Sequence, residues 1–135
     1  MKASDIEFVK LVGIEQSEES VSLAFKKNVL NHIESIHASA QYTLAETQSG
    51  LHLQKLFPQL VGKVIPVLRE SKIKYKKPAL KSIIAFAKCS DEDIEKFQTQ
   101  FTKKGRATLN VSVEVKDSDG VCTAEGTFGW FISKI

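Results

Sequence analysis

HASAQYTLAETQSG, residues 37–50, is the stretch whose reading decides the fold. Small residues such as Ala38, Ser39, Ala40 and Ala45 are mixed with good helix formers, and no proline interrupts them. The pattern predicts a helix over about 38–49, bare enough of bulk for other backbone to pack closely around it. Gly50 stands where a left-handed cap could end that helix. The stretch carries one carboxylate, Glu46, nine positions after His37.

Strands surround this helix in the sequence. Residues 21–26 alternate apolar with small or polar side chains, and residues 28–36 read as a loop. Residues 64–76 put Glu70, Lys72, Lys74 and Lys76 on one parity and Val67, Arg69, Ser71, Ile73 and Tyr75 on the other, a clear period of two. Pro78 then suits an edge or a bulge. Residues 81–89 form another strand, and residues 106–116 alternate with Ala107, Leu109, Val111, Val113 and Val115 on one side. Asp117-Ser118-Asp119-Gly120 is a hairpin turn leading to a closing strand over 121–132.

Between those strands, Ser90 as cap with Asp91 and Asp93 in the first turn predicts a helix over 91–103. Residues 51–62, broken by Pro58 and Gly62, read as a connection with a short helical turn. At the front, Ser4 and Glu7 fit a capping box. Ile6, Phe8, Val9, Leu11 and Val12 give a helical apolar face, with Gly13 as the stop. The order is α+β: an antiparallel sheet of about five strands around one long central helix, with a short helix over 1–13 appended to a single domain spanning 1–135.

The run NHIESIHASAQYTLAETQSG, residues 31–50, resembles the loop and central helix of hotdog-fold thioesterases. Their pattern is a loop, a His followed by glycines, and an acid nine residues after the His in an Ala-Leu-Ala-Glu-like context. Here His37 and Leu44-Ala45-Glu46 fall at that spacing, and Ala38-Ser39 replace the glycines. The resemblance extends over about 20–133. It implies a hotdog fold and an acyl-CoA thioesterase, working between the protomers of a homodimer or tetramer.

It also implies roles. Glu46 would be the general base or nucleophile, the Ala38 and Ser39 amides the oxyanion hole, Asn31 the residue orienting water or carbonyl, and His37 the residue fixing the loop or holding substrate. Independently of the resemblance, Glu46 shares a mildly polar helix strip with Ser39, Tyr42 and Thr43. In a crevice its carboxylate would be partly desolvated and its pKa raised, which suits a base. Tyr42 is a substrate-binding candidate on the same strip. Lys72, Lys74, Lys76, Lys77 and Lys81, with Arg106 more weakly, offer charge for the phosphates of coenzyme A. The competing reading is a solvated strand face that lysine also protects from edge-to-edge aggregation.

Composition excludes other classes. Apolar residues make up 42% and charged residues 26%, as in ordinary globular domains. A net charge of +3, without aromatics interleaved among the lysines, gives no nucleic-acid platform. No apolar run reaches membrane-span length, and acids interrupt the N-terminus where a signal peptide would be apolar. Cys89 and Cys122 lack ligand spacing and suit thiols in a reducing cytoplasm. Three histidines without ligand spacing argue against a metal site, and coenzyme A enters only as part of a substrate, so no cofactor is expected. Beside the thioesterase stand a non-catalytic hotdog module binding an acyl-CoA or similar ligand and, last, a hotdog dehydratase. The latter is disfavoured because no Gly-Pro-rich loop precedes the helix.

Overall fold

The computed structural model describes residues 1–18 and 20–135. Six strands form one antiparallel sheet in the order β1-β2-β4-β5-β6-β3. They are β1 (Glu15–Gln16), β2 (Val21–Leu23), β3 (Val64–Tyr75), β4 (Ile83–Lys88), β5 (Arg106–Asp117) and β6 (Cys122–Lys134). The helices are α1 (Glu7–Val12), α2 (Ala38–Leu56) and α3 (Asp91–Lys104). The one strand beyond the expected five is the two-residue β1.

The sheet is one-sided. Leu109, Val111, Val113 and Val115 on β5, with Phe128 and Ile132 on β6, are buried against α2, while Thr108, Asn110 and Ser112 face out. That alternation is what an antiparallel sheet with one covered face requires. From the helix, Leu44, Ala45 and Leu53 enter the core. Two glutamines on the same buried side tie it to the sheet: Thr123 Oγ1 donates to Gln41 Oε1 at 2.9 Å, and the Val21 amide donates to Gln48 Oε1 at 3.0 Å. α3 covers the far end, its Phe97 ring centroid 4.9 Å from that of Phe57.

The central helix is longer than the sequence implies. Instead of stopping at Gly50 it runs to Leu56, and only then come the turn Pro58–Leu60 and Gly62 at φ 80°. Gly50 is helical because of what crosses it. A Cβ there would lie 3.3 Å from Trp130 Cζ2 on β6, so the absent side chain makes room for an indole.

Two further expectations change. The Ser4–Glu7 box does not form; the Asp5 carboxylate instead receives the Lys2 amide at 2.8 Å, and the N-cap of α1 is Ile6, which offers no side-chain bond. Gly13 does end α1, left-handed at φ 91°. The strict parity of β3 breaks at a bulge between Leu68 and Glu70. Downstream of it, Ser71, Ile73 and Tyr75 keep their shared parity, and Ser71 and Tyr75 meet α2. Upstream, Leu68 packs on the core and Val67 lies outside, half exposed. β3 pairs only with β6, so its other edge is unpaired. The Ser90 cap (Asp93 amide to Oγ, 3.1 Å) and the turn at Gly120 (φ 82°) are as expected.

Candidate functional site

A helix start leaves four backbone amides without helical partners. In α2 three of them are taken. The His37 amide donates to the Val29 carbonyl at 2.8 Å, the Ser39 amide to His37 Nδ1 at 3.0 Å, and the Ala40 amide to the His37 carbonyl at 3.0 Å. The Ala38 amide alone has no partner among the described residues. It sits at the positive end of a 19-residue helix, so it is a donor ready for an acceptor carrying negative charge.

His37 is thus a capping residue. Its Nδ1 accepts a hydrogen bond, so the lone pair is there and a neutral ring carries its proton on Nε2. The peptide beyond is held at both poles, since the Tyr75 hydroxyl donates to the Ala38 carbonyl at 3.1 Å. Tyr42 and Ser71 hydroxyls meet 2.7 Å apart one turn on, so β3 is stitched to the first half of α2. The Tyr75 pKa is raised by burial and, secondarily, by the nearby Tyr42.

Asn31 builds the loop that delivers His37. Its Oδ1 receives the Ile33 and Ser35 amides, each at 3.0 Å, and its Nδ2 donates to Ser35 Oγ at 2.8 Å. These bonds hold Glu34 at φ 59°, a left-handed conformation that local side-chain bonding makes tolerable. The side chain is spent inside its own loop.

Glu46 is half-buried, two turns along α2 from Ser39, and its carboxylate has no hydrogen bond or ion pair among the described residues. Burial pushes its pKa above the ordinary carboxylate value. Seven residues of helix rise about 10 Å. A glutamate arm therefore falls short of an acceptor seated on the Ala38 amide of its own chain.

Beside the helix start lies a groove of about 390 Å³, open to solvent and lined by Phe8, Leu11, Val29, Leu30, His37 and Thr43 among others. A larger, open groove of about 610 Å³ runs between α3 and β5. None of the candidate site residues lines it.

The basic residues are not brought to the helix side. Lys72 pairs with Thr127 and Lys74 with Glu125, positions that face away from α2. Lys76 lies 3.6 Å from Glu125, and Lys81 is paired with Asp119, which raises its pKa first through their hydrogen bond and then through the charge. Arg106 pairs with Ser133, whereas Lys74 is opposite Glu125, eight residues along β6. That is roughly 26 Å at strand spacing, so Arg106 is not part of the lysine patch. Lys74 and Lys76 flank Tyr75, whose hydroxyl reaches the Ala38 carbonyl.

His32 is exposed and His52 is half-buried; burial, with Lys55 as a lesser cause, lowers the His52 pKa. Both cysteines are free thiols; burial and then Asp93 push Cys89 up to about 11, which makes it inert. What sequence reasoning missed is the pair Tyr75–Ala38 and the apolar wall of α1. The inward parity of Tyr75 was visible; its reach to a helix start depends on strand placement.

A family model described as a domain of unknown function, DUF4442, matches residues 8–132. The chain belongs to that family. Comparison with curated proteins finds no match. Among solved structures, this DUF4442 chain resembles a Pseudomonas aeruginosa protein of unknown function described as a probable thioesterase, with 23% identity, a TM-score of 0.80, and coverage of 97% of this chain and 89% of that one. A Bacillus halodurans protein solved with CoA has 24% identity and a TM-score of 0.73, covering 94% and 76%. A hypothetical thioesterase of Streptococcus pneumoniae, solved with coenzyme A, has 21% identity and a TM-score of 0.65, covering 90% and 84%. The fold of the DUF4442 chain is the hotdog fold. No helix among its described residues is long and apolar enough to cross a membrane.

Proposed function

We propose that the protein hydrolyses an acyl-CoA thioester. The observation that carries the reading is the pairing, on one helix, of a single free amide at Ala38 with a desolvated, unpartnered carboxylate at Glu46. The thioester carbonyl oxygen accepts from the Ala38 amide, which stabilises the charge developing there. Glu46 takes a proton from water, whose oxygen bonds to the carbonyl carbon. The C–S bond then breaks, and the thiolate of coenzyme A leaves with the proton Glu46 had gained, giving a free thiol and a carboxylic acid that releases its own proton to solvent.

The 10 Å along α2 supports a site assembled from two copies, the amide from one and the acid from the other. The unpaired edge of β3 is the natural seam, since an open edge of 12 residues favours pairing. Lys72, Lys74, Lys76 and Lys77 line that edge, where the phosphates of coenzyme A could lie against them. The two free cysteines suit a reducing cytoplasm.

Single-turnover hydrolysis of a panel of acyl-CoA thioesters, with Glu46→Gln as control, tests the reading. Equal rates for both proteins would remove Glu46 from the mechanism. The second reading, a hotdog module that binds acyl-CoA without turnover, is favoured by the Ser39 amide being occupied, which leaves one donor instead of two. Tight binding with no turnover above background would select it.

A further inference from the structure

The short helix α1 behaves oddly for a helix that merely packs on an edge. It buries Val9 but leaves Ile6, Phe8 and Leu11 exposed at 43%, 60% and 76%. A six-residue helix gains little from displaying three large apolar side chains to water, each worth about 1.5–3 kcal/mol if covered. Two of the three, Phe8 and Leu11, line the 390 Å³ groove beside the start of α2.

The lining is graded in polarity. Phe8, Leu11, Val12, Val29 and Leu30 make one side mainly apolar, with Asn28 beside them; His37, Ser39, Ala40 and Thr43 lie at the α2 end. The polar wall makes no unmet demand, because Thr43 Oγ1 donates to the Ser39 carbonyl at 2.9 Å and no buried side-chain polar atom of the described residues lacks a partner. One hydrogen bond joins the two ends, the His37 amide to the Val29 carbonyl. A ligand matched to such a groove has a carbonyl at one end and a hydrocarbon body at the other. The groove is open to solvent, with about 390 Å³ of space for a chain lying along it.

We propose that this groove takes the acyl chain of the thioester, and that Phe8 and Leu11 on α1 set how long a chain is preferred. The proposal rests on the thioesterase reading for the identity of the ligand. Its test is independent of turnover.

S-alkyl-CoA thioethers cannot be hydrolysed, so calorimetric titration with ethyl, butyl, hexyl and octyl derivatives reads the groove alone. Each methylene taken up should tighten binding by about fourfold until the groove is full. Phe8→Ser and Leu11→Ser should each flatten that dependence markedly. Both side chains are exposed, so neither change threatens folding, and Val61→Ser, exposed but away from the groove, should leave it unaltered. No binding, a flat series in the unaltered protein, or an equal slope in both α1 variants would overturn the proposal. Equal slopes together with a fall in mass of the variants on sedimentation would instead assign α1 to a contact between copies. Hydrolysis with a flat series would retain the thioesterase and remove the acyl groove; a steep, α1-dependent series without hydrolysis would do the reverse.

Discussion

Trp130 Nε1 donates to Ser49 Oγ at 2.9 Å, fixing the indole across the neighbouring Gly50. Alanine in a helix interior normally gains about 1 kcal/mol over glycine. Here the added methyl would press on a ring that its hydrogen bond prevents from sliding. Gly50→Ala is expected to lower the Tm despite the propensity gain. In a Trp130→Phe background the same change should raise it, and a cycle of thermal melts reads the difference.

Glu46 links pH to both activity and stability. Its raised pKa means that the folded protein holds this proton more tightly than the unfolded chain, so ionisation opposes folding. The stability it lends is complete below the ordinary carboxylate value and is lost as pH rises through the folded pKa. Glu46→Gln should therefore melt above the parent at pH 7, and the gap should close on acidification to about pH 4. In the same protein, hydrolysis should drop by about 10²–10⁴-fold. The acid limb of the parent's pH–rate profile should have its midpoint above 4.5.

The cap on α2 is separable from chemistry. His37→Ala releases the Ser39 amide and should cost about 1 kcal/mol by denaturant titration. Asparagine at 37 should restore most of that stability, because its side-chain oxygen can accept the same bond.

The Ala38 amide can be deleted by itself. Proline is tolerated at the first position of a helix, and His37, at φ −57° and ψ 139°, already has the conformation that a residue before proline needs. Ala38→Pro should fold with little loss of stability and lose about 10²–10³-fold in turnover. Mixed with Glu46→Gln and re-equilibrated, the two inactive proteins should recover roughly a quarter of the parent activity if each two-fold site draws one residue from each copy. No recovery would put amide and acid in the same chain.

The strands and their turns were legible because period-two alternation and Asp-Gly chemistry are local. The helix start and the Glu46 spacing were legible too. The end of the helix was not: glycine signals a stop unless a distant ring needs the space, and Trp130 is 80 residues away. The lysines were legible only in part. Their parity identified a shared face correctly, but which face turns toward α2 is set by Ser71 and Tyr75 meeting Tyr42 and Ala38. Asn31 and His37 spend their side chains on backbone and on the loop itself, a distribution that spacing along the chain does not show.

Gln41 and Gln48 lie seven residues apart and so point the same way from α2, and they are bonded to opposite ends of the sheet order, to Thr123 and to Val21. Rolling the helix about its axis would strand both amides in a dry interior, at about 1–3 kcal/mol each. The azimuth of Glu46, on the opposite side of the cylinder, is thereby keyed from below. Two side chains that never meet a ligand determine the direction in which the acid is presented.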